Sequence, residues 1–164
     1  MRIQVRNPSD LPKADTAAHD AEKSRRGRTA VGICLTLIGL AWALVLAAMY
    51  GTNGPYIATL GENEIIGLIL ADAQNAFFAI ALIIGGIWNI TARRSNSKAP
   101  LIAALGLSGL ALILDLISIV EVVTAAATAT TPNVVGVLFH VGIFVQTIRL
   151  LKLNPINPLL LPIS

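Results

Sequence analysis

Residues 29–50 form an apolar run, TAVGICLTLIGLAWALVLAAMY, that contains no charged side chain. An α-helix rises about 1.5 Å per residue, so a run of this length spans the roughly 30 Å hydrocarbon core of a bilayer. A signal peptide is the alternative interpretation, but residues 1–28 are too long for its charged region and the run is too long for its apolar region. The run therefore predicts a transmembrane helix.

Three further apolar runs follow, at residues 65–91, 100–124 and 134–151. The composition is typical of a chain that lies mostly in lipid, because 55% of its residues are hydrophobic and 13% are charged. Soluble domains average roughly 25% charged residues. The sequence therefore predicts an all-α fold, a four-helix transmembrane bundle that covers residues 29–152.

The basic residues indicate the orientation of the four spans. They precede the first span, separate the second from the third, and close the fourth: Arg25, Arg26, Arg28, Arg93, Arg94, Lys98, Arg149 and Lys152. The connections 51–64 and 125–133 contain no Lys or Arg. With an even number of spans all these residues fall on one side, which the positive-inside rule identifies as cytoplasmic. We therefore expect both termini in the cytoplasm and, by default, a bacterial inner membrane.

The segments outside the spans have different compositions. Residues 1–28 mix acidic, basic and small residues with few large apolar ones, which predicts a disordered cytoplasmic tail. Residues 153–164 carry a proline every few positions, which prevents a helix and predicts a Pro-rich cytoplasmic tail. Residues 53–55, Asn-Gly-Pro, have turn chemistry and predict the turn between the first two spans.

Small residues recur at helical spacing within the spans. The hydrophobic effect does not hold helices together in lipid, so close packing depends on small or polar seams. The positions that predict helix-packing contacts are Gly32 and Gly39 in the first span, Gly86 in the second, Ser108 in the third and Gly136 in the fourth. Each span therefore has one face suited to the interior of a bundle.

Polar side chains also lie inside the spans, and they form a predicted intramembrane cluster: Asp72, Asn75, Asp115, Glu121 and His140. Counting about 1.5 Å per residue from the span ends places Asp72, Asp115 and His140 roughly 10 Å inside the outer boundary. Ionisable groups at such a depth are costly to insert, so they face the bundle or a hydrated cavity and find partners. We expect these three side chains to converge.

Two interpretations of this cluster remain open. Histidine side chains change charge near neutral pH, so one interpretation is a proton relay or cation site open to the outside. The other is a hydrogen-bonded cluster that fixes the register of the helices, and it is the favoured one. A hydrated cavity at these residues would support the first interpretation, and a dry cluster of paired side chains would support the second.

Other chemistry has little support in the sequence. A metal site could in principle combine three carboxylates and one imidazole, those of Asp72, Asp115, Glu121 and His140. No pair of ligands at short spacing in the sequence supports such a site. Ser108 or Ser118 near His140 is no more than two common residues, which does not indicate a nucleophile with its base. Cys34 is the only cysteine and lies in an apolar run, where a thiol behaves as a small hydrophobe. The sequence therefore predicts no catalytic residue, metal or cofactor.

The function class follows from the short loops between the spans, which leave the bundle itself as the interaction surface. The leading hypothesis is a non-enzymatic accessory or assembly subunit of a membrane complex, and the alternative is a small transporter or proton- or cation-linked channel. The candidate partners are the lipid bilayer, other membrane proteins and further copies of the chain. Nucleic acid is not expected, because the basic residues lie in short blocks beside apolar runs.

The one-sided distribution of Lys and Arg predicts the topology. A cysteine placed in residues 51–64 or 125–133 should react with a membrane-impermeant thiol reagent added outside sealed cells, whereas one in residues 93–98 should not. Labelling of the 93–98 connection in sealed cells would overturn this topology.

Overall fold

The structure, a computed structural model, describes residues 11–124 and 134–153, and all of the regular structure within them is helical. The helices are α1 (Leu11–Ile57), α2 (Glu62–Thr91), α3 (Ala99–Thr124) and α4 (Val134–Lys152), with a short 3₁₀ helix, Ala92–Arg94, after α2. Each of the helices α1 to α4 is long and apolar enough to cross a membrane. The all-α prediction is confirmed for the described residues, and each predicted span lies within one helix.

Helix α1 begins at Leu11, well before the predicted span. The structure thus differs from the disordered tail expected for residues 11–28, which are rich in the strong helix formers Ala, Lys, Glu and Arg. Within them Glu22 pairs with Arg26 one turn later. The segment also continues a long apolar helix, so it needs no helix nucleus of its own. Residues 1–10 and, in the Pro-rich tail, residues 154–164 lie outside the described part of the chain.

Helix α1 also continues past the predicted turn. Residues 53–55 belong to its last turns, and the chain reverses direction at residues 58–61 instead. The predicted turn is wrong because Pro55, which lacks an N–H group, removes only one amide hydrogen bond close to an exposed helix end. At the start of α2 the backbone N–H of Gly61 donates to Glu64 Oε2 at 2.9 Å, which stabilises the first turn of the helix.

The four helices pack as two antiparallel pairs, α1 with α2 and α3 with α4. Smaller contacts of α2 with α3 and of α1 with α4 join the pairs into one bundle. We call the end that carries Arg28, residues 92–98 and Lys152 the basic end, and the end with the turn at residues 58–61 the far end.

Helices α1 and α2 approach each other closely through glycines. A Cβ atom at Gly32 would lie 2.6 Å from the carbonyl oxygen of Gly86, and one at Gly39 would lie 2.7 Å from the carbonyl oxygen of Ala79. A Cβ atom at Gly86 would meet the hydroxyl oxygen of Thr36. The structure therefore places three of the predicted packing residues at this approach, where any side chain would separate the helices.

The packed core occupies the half of the bundle nearer the basic end. Its buried apolar side chains come from all four helices: Val31, Leu35, Leu82, Leu101, Ala104, Ile143 and Leu150. Nearer the far end, large apolar side chains on every helix expose more than half of their surface, among them Leu44, Leu70, Val120 and Leu138. The bundle is thus tightly packed in one half and loosely packed in the other.

Two cations bind helix C-termini at the basic end. Arg28 is buried, and its Nη1 donates to the carbonyl oxygen of Ala92, just after α2, at 3.3 Å. Lys98 Nζ donates to the carbonyl oxygen of Leu151, in the last turn of α4, at 3.2 Å. The last carbonyl groups of a helix lack partners within the helix and carry partial negative charge, so both contacts are favourable. These residues, which the sequence marks as topology signals, also hold the helices together.

A buried asparagine joins α2 to α3. Asn89 is fully buried, and its Nδ2 donates to the carbonyl oxygens of Gly85, at 2.9 Å, and Pro100, at 2.8 Å. The first carbonyl belongs to the same helix and the second to the first turn of α3. Two hydrogen bonds from one amide therefore fix the start of α3 against the end of α2.

The close approach of α1 and α2 predicts that Gly39→Ala destabilises the bundle, since the added methyl group would meet the Ala79 backbone. Gly67→Ala is the matched control, because a Cβ atom there meets no atom within 4 Å. We expect Gly39→Ala to lower the free energy of unfolding by about 1 to 3 kcal/mol. Gly67→Ala should leave it unchanged or raise it by up to about 1 kcal/mol.

Thermal unfolding in a mild detergent measures both variants. Equal stability of Gly39→Ala and Gly67→Ala would contradict the close approach of the two backbones.

Candidate functional site

The structure brings together two of the predicted polar residues, Asp115 of α3 and His140 of α4. Asp115 Oδ2 and His140 Nδ1 lie 2.7 Å apart, within hydrogen-bonding distance. The exposed fraction of the His140 side chain is 2% and that of Asp115 is 11%, so the contact is shielded from the surroundings. An acid and an imidazole at this distance share a proton between them, either as a neutral hydrogen bond or as an ion pair.

Asp72 has a different partner. The hydroxyl group of Tyr50 on α1 donates to Asp72 Oδ2 on α2 at 2.6 Å. Among the side chains that the structure describes, no three from His, Cys, Asp and Glu form a group that could hold a metal ion. The predicted convergence of Asp72 with Asp115 and His140 is therefore wrong, because the face of α2 that carries Asp72 is turned towards α1.

The remaining members of the predicted cluster also differ in their positions. Asn75 lies one turn after Asp72 on α2 and lines the same cleft as His140. Glu121 belongs to α3, but its side chain lies outside the described part of the structure. The polar groups thus form two separate contacts, Tyr50 with Asp72 and Asp115 with His140.

A cleft of about 640 Å³ opens between α1 and α4. Most of its lining is apolar or aromatic and comes from α1 and α4: Leu37, Ile38, Ala41, Trp42, Val45, Leu46, Met49, Val135 and Phe139. Cys34, Asn75, Gly136 and His140 complete the lining. We call this the α1–α4 cleft, and it combines a mostly apolar wall with a few polar groups, as ligand sites in proteins do.

A second cleft, of about 410 Å³, lies nearer the far end beside the Tyr50 and Asp72 pair. Tyr56 and Glu64 line it as well, so it is more polar than the α1–α4 cleft. Met49 borders both clefts. The two openings therefore adjoin at Met49, and one of the two polar contacts lies at each.

The hydrogen bonding of His140, in the lining of the α1–α4 cleft, is incomplete. Its ring is almost fully buried and its Nδ1 is taken by Asp115, but its Nε2 is buried and has no hydrogen-bond partner among the described residues. Buried polar atoms in folded proteins nearly always have a partner, so an unpaired one calls for an explanation. An atom that enters the cleft can supply the missing partner.

The burial of this pair indicates the protonation of Nε2. A net charge is costly to bury, so an electroneutral pair is favoured over a lone buried carboxylate. In the electroneutral pair one proton lies between Asp115 Oδ2 and His140 Nδ1, and a second proton is on His140 Nε2. In this form Nε2 is a hydrogen-bond donor, and its partner must be an acceptor.

The predicted packing residues of α3 and α4 have separate positions. Ser108 is fully buried, and its hydroxyl group donates to the carbonyl oxygen of Ala104 in its own helix at 2.8 Å. This intrahelical bond satisfies the hydroxyl and leaves Ser108 as a small residue in the core. Gly136 lies one turn before His140 on α4 and lines the α1–α4 cleft.

Sequence reasoning missed two side chains that matter here. Tyr50, the last residue of the first apolar run, was not predicted to make a polar contact, yet it binds Asp72. Asn89 was not expected to contribute to packing, yet it joins α2 to α3. Tyr50 and Asp72 lie at similar distances in sequence from the turn at residues 58–61, so an antiparallel pairing of the first two spans was the signal that could have found their contact.

Comparison with known proteins finds no family model that matches the chain, no similar curated protein and no similar solved structure. The function therefore has to be argued from the geometry of the two polar contacts and their clefts.

The contact between Asp115 and His140 predicts energetic coupling. Asp115→Asn and His140→Gln should each destabilise the protein, because each leaves the other side chain buried without its partner. The double variant can form a neutral amide pair, so it should cost less than the sum of the single changes. We expect an interaction energy on the order of 0.5 to 2 kcal/mol.

Thermal unfolding in detergent at constant pH measures this double-mutant cycle. Asp72→Asn combined with His140→Gln is the control, because Asp72 pairs with Tyr50 and should be additive with His140. Strict additivity of the Asp115 and His140 changes would mean that the two side chains do not touch.

Proposed function

We propose that this chain is an integral membrane protein with four crossings and both termini in the cytoplasm, by default in a bacterial inner membrane. Only 17% to 22% of the residues in the most apolar stretch of each helix are buried inside the bundle. The rest of that apolar surface points outwards, where lipid is a better solvent for it than water. The one-sided distribution of Lys and Arg supports the proposed orientation.

We further propose that the protein is a non-enzymatic accessory subunit, which acts by binding another component of a membrane complex inside the bilayer. The observation that carries this proposal is the α1–α4 cleft, an apolar opening whose lining includes His140, a residue with a buried and unpaired ring nitrogen. The cleft lies between helix α1 and helix α4, whose contacts with each other are among the smaller ones in the bundle. A component that enters the cleft completes the packing and supplies the missing hydrogen bond.

A transporter or a proton- or cation-linked channel is the alternative function. The polar side chains Asn75 and His140 at the α1–α4 cleft favour it, since polar groups inside a membrane often line the path of a solute. However, the half of the bundle beyond them is filled by buried Leu35, Leu82 and Leu101. Passage of a solute would require these packed helices to separate. Binding of a component in the cleft requires no such movement, so we favour binding over transport.

Two measurements on the full chain separate these functions. Native mass spectrometry after mild detergent extraction should find the chain in a complex with at least one different protein, with a mass above the 17.2 kDa of the chain. The purified chain in liposomes with an internal pH dye should carry no more proton flux than empty liposomes.

Asp115→Asn serves as the matched variant in the flux measurement, because it changes the polar contact without adding bulk. Flux through the wild-type chain that Asp115→Asn abolishes would contradict the accessory role and favour transport. Extraction of the chain alone, at every mild detergent concentration tested, would also contradict it.

A further inference from the structure

We infer that the component held in the α1–α4 cleft is a small molecule that dissolves in the bilayer, with an apolar body and a carbonyl oxygen that accepts a hydrogen bond from His140 Nε2. The inference rests on the proposed function, in which this cleft is the binding surface. It adds the chemical class of the occupant. A quinone with an apolar tail and a fatty acyl ester are two sources of this chemistry.

The size of the cleft is that of a small-molecule site. Ligand sites in proteins have volumes of about 300 to 1,000 Å³, and the cleft measures about 640 Å³. Along α1 the cleft extends from Cys34 to Met49, roughly 22 Å of helix at 1.5 Å per residue. The cleft is therefore large enough to hold such a molecule.

The lining of the cleft sets the shape of the ligand. Apolar and aromatic side chains of α1 and α4 form most of the wall, so the bulk of the ligand is apolar. His140 and Asn75 are the polar side chains that join them, and Cys34 adds a polarisable sulfur. A ligand with a long apolar body and one polar group matches this pattern, whereas a charged or strongly hydrated ligand leaves its polar groups unpaired.

The unpaired nitrogen sets the polar group of the ligand. Nε2 of His140 is a donor when the pair with Asp115 is electroneutral, so the ligand presents an acceptor such as a carbonyl oxygen. Nε2 has almost no accessible surface, so side chains around His140 must move for the oxygen to reach it. Movements of this kind are common when a ligand binds.

Trp42 provides a reporter inside the cleft. It lines the cleft, and its ring packs edge-on against Phe78 with the ring centres 5.5 Å apart. The chain contains two tryptophans, and Trp88 on α2 does not line the cleft. In a Trp88→Phe background the fluorescence of Trp42 alone therefore reports on molecules that enter the cleft.

The experiment titrates the full-length Trp88→Phe protein in lipid nanodiscs with three probes of similar apolar length. The probes are a decyl-benzoquinone, methyl decanoate and decylbenzene, which lacks a carbonyl group. We expect the quinone to quench the Trp42 fluorescence in a saturable way. Binding of methyl decanoate is measured by its competition with the quinone. Decylbenzene should compete about tenfold more weakly than the quinone, the effect of losing one hydrogen bond in a buried site.

Four variants test the site itself. Ala41→Phe fills the cleft at an exposed position and should weaken quinone binding at least about tenfold. Ala47→Phe is its matched control, since Ala47 is exposed on the same helix outside the cleft and should bind as the parent does. His140→Leu should lose the tenfold preference for a carbonyl probe, and His140→Gln, which keeps an N–H donor, should retain part of it.

The outcomes separate the sources and the alternatives. If methyl decanoate competes with an affinity equal to that of the quinone, the site is assigned to lipid esters. If the quinone alone binds, the site is assigned to quinones. Both results support the inference. Non-saturable quenching that is equal in Ala41→Phe and Ala47→Phe overturns it, because the probes then only dissolve in the lipid. Equal binding of decylbenzene and the quinone also overturns it.

The test also keeps this inference apart from the proposed function. If no probe binds but the chain still extracts in a complex with a protein, the small-molecule inference fails and the accessory role stands. If the probes bind and the chain always extracts without a protein partner, the accessory role in a protein complex fails and the ligand site stands.

Discussion

The close approach of α1 and α2 is the packing constraint on which the bundle depends. In the bilayer that we propose for this chain, lipid is as apolar as the helix surfaces, so burial of apolar side chains contributes little to the association of the helices. Contact between backbones supplies dispersion energy instead, and it requires positions without side chains at Gly32, Gly39 and Gly86. The hairpin of α1 and α2 then forms a firm surface against which α3 and α4 pack.

The second pair of helices is held mainly near the basic end. Asn89 fixes the start of α3, and Lys98 joins that start to the last turn of α4. Nearer the far end, the hydrogen bond between Asp115 and His140 connects α3 to α4. The strong contacts lie near one end, and the cleft between α1 and α4 extends from beside the core towards the other end. His140, whose ring has one unpaired nitrogen, is part of its lining.

The sequence predicted positions along the helices better than rotations about them. Apolar run length predicted the four helices, and depth along neighbouring spans predicted that Asp115 and His140 meet. Depth alone says nothing about which way a side chain points, so Asp72, at a similar estimated depth, was assigned to the wrong partner. The helix in residues 11–28 was not predicted, because a polar composition taken alone indicates disorder. The segment is helical as the continuation of the apolar part of α1.

The protonation of the His140 ring is the most direct test of the proposed site. The chain has two histidines, so a His19→Gln variant leaves His140 as the only one. Its ring nitrogens can then be observed by ¹⁵N NMR in lipid bilayers at neutral pH. We expect Nε2 to carry a proton and Nδ1 to share one with Asp115, so that Asp115→Asn shifts the Nδ1 signal. A bare Nε2 beside a protonated Nδ1 would contradict the donor role of His140, and the carbonyl site built on it would have to be abandoned.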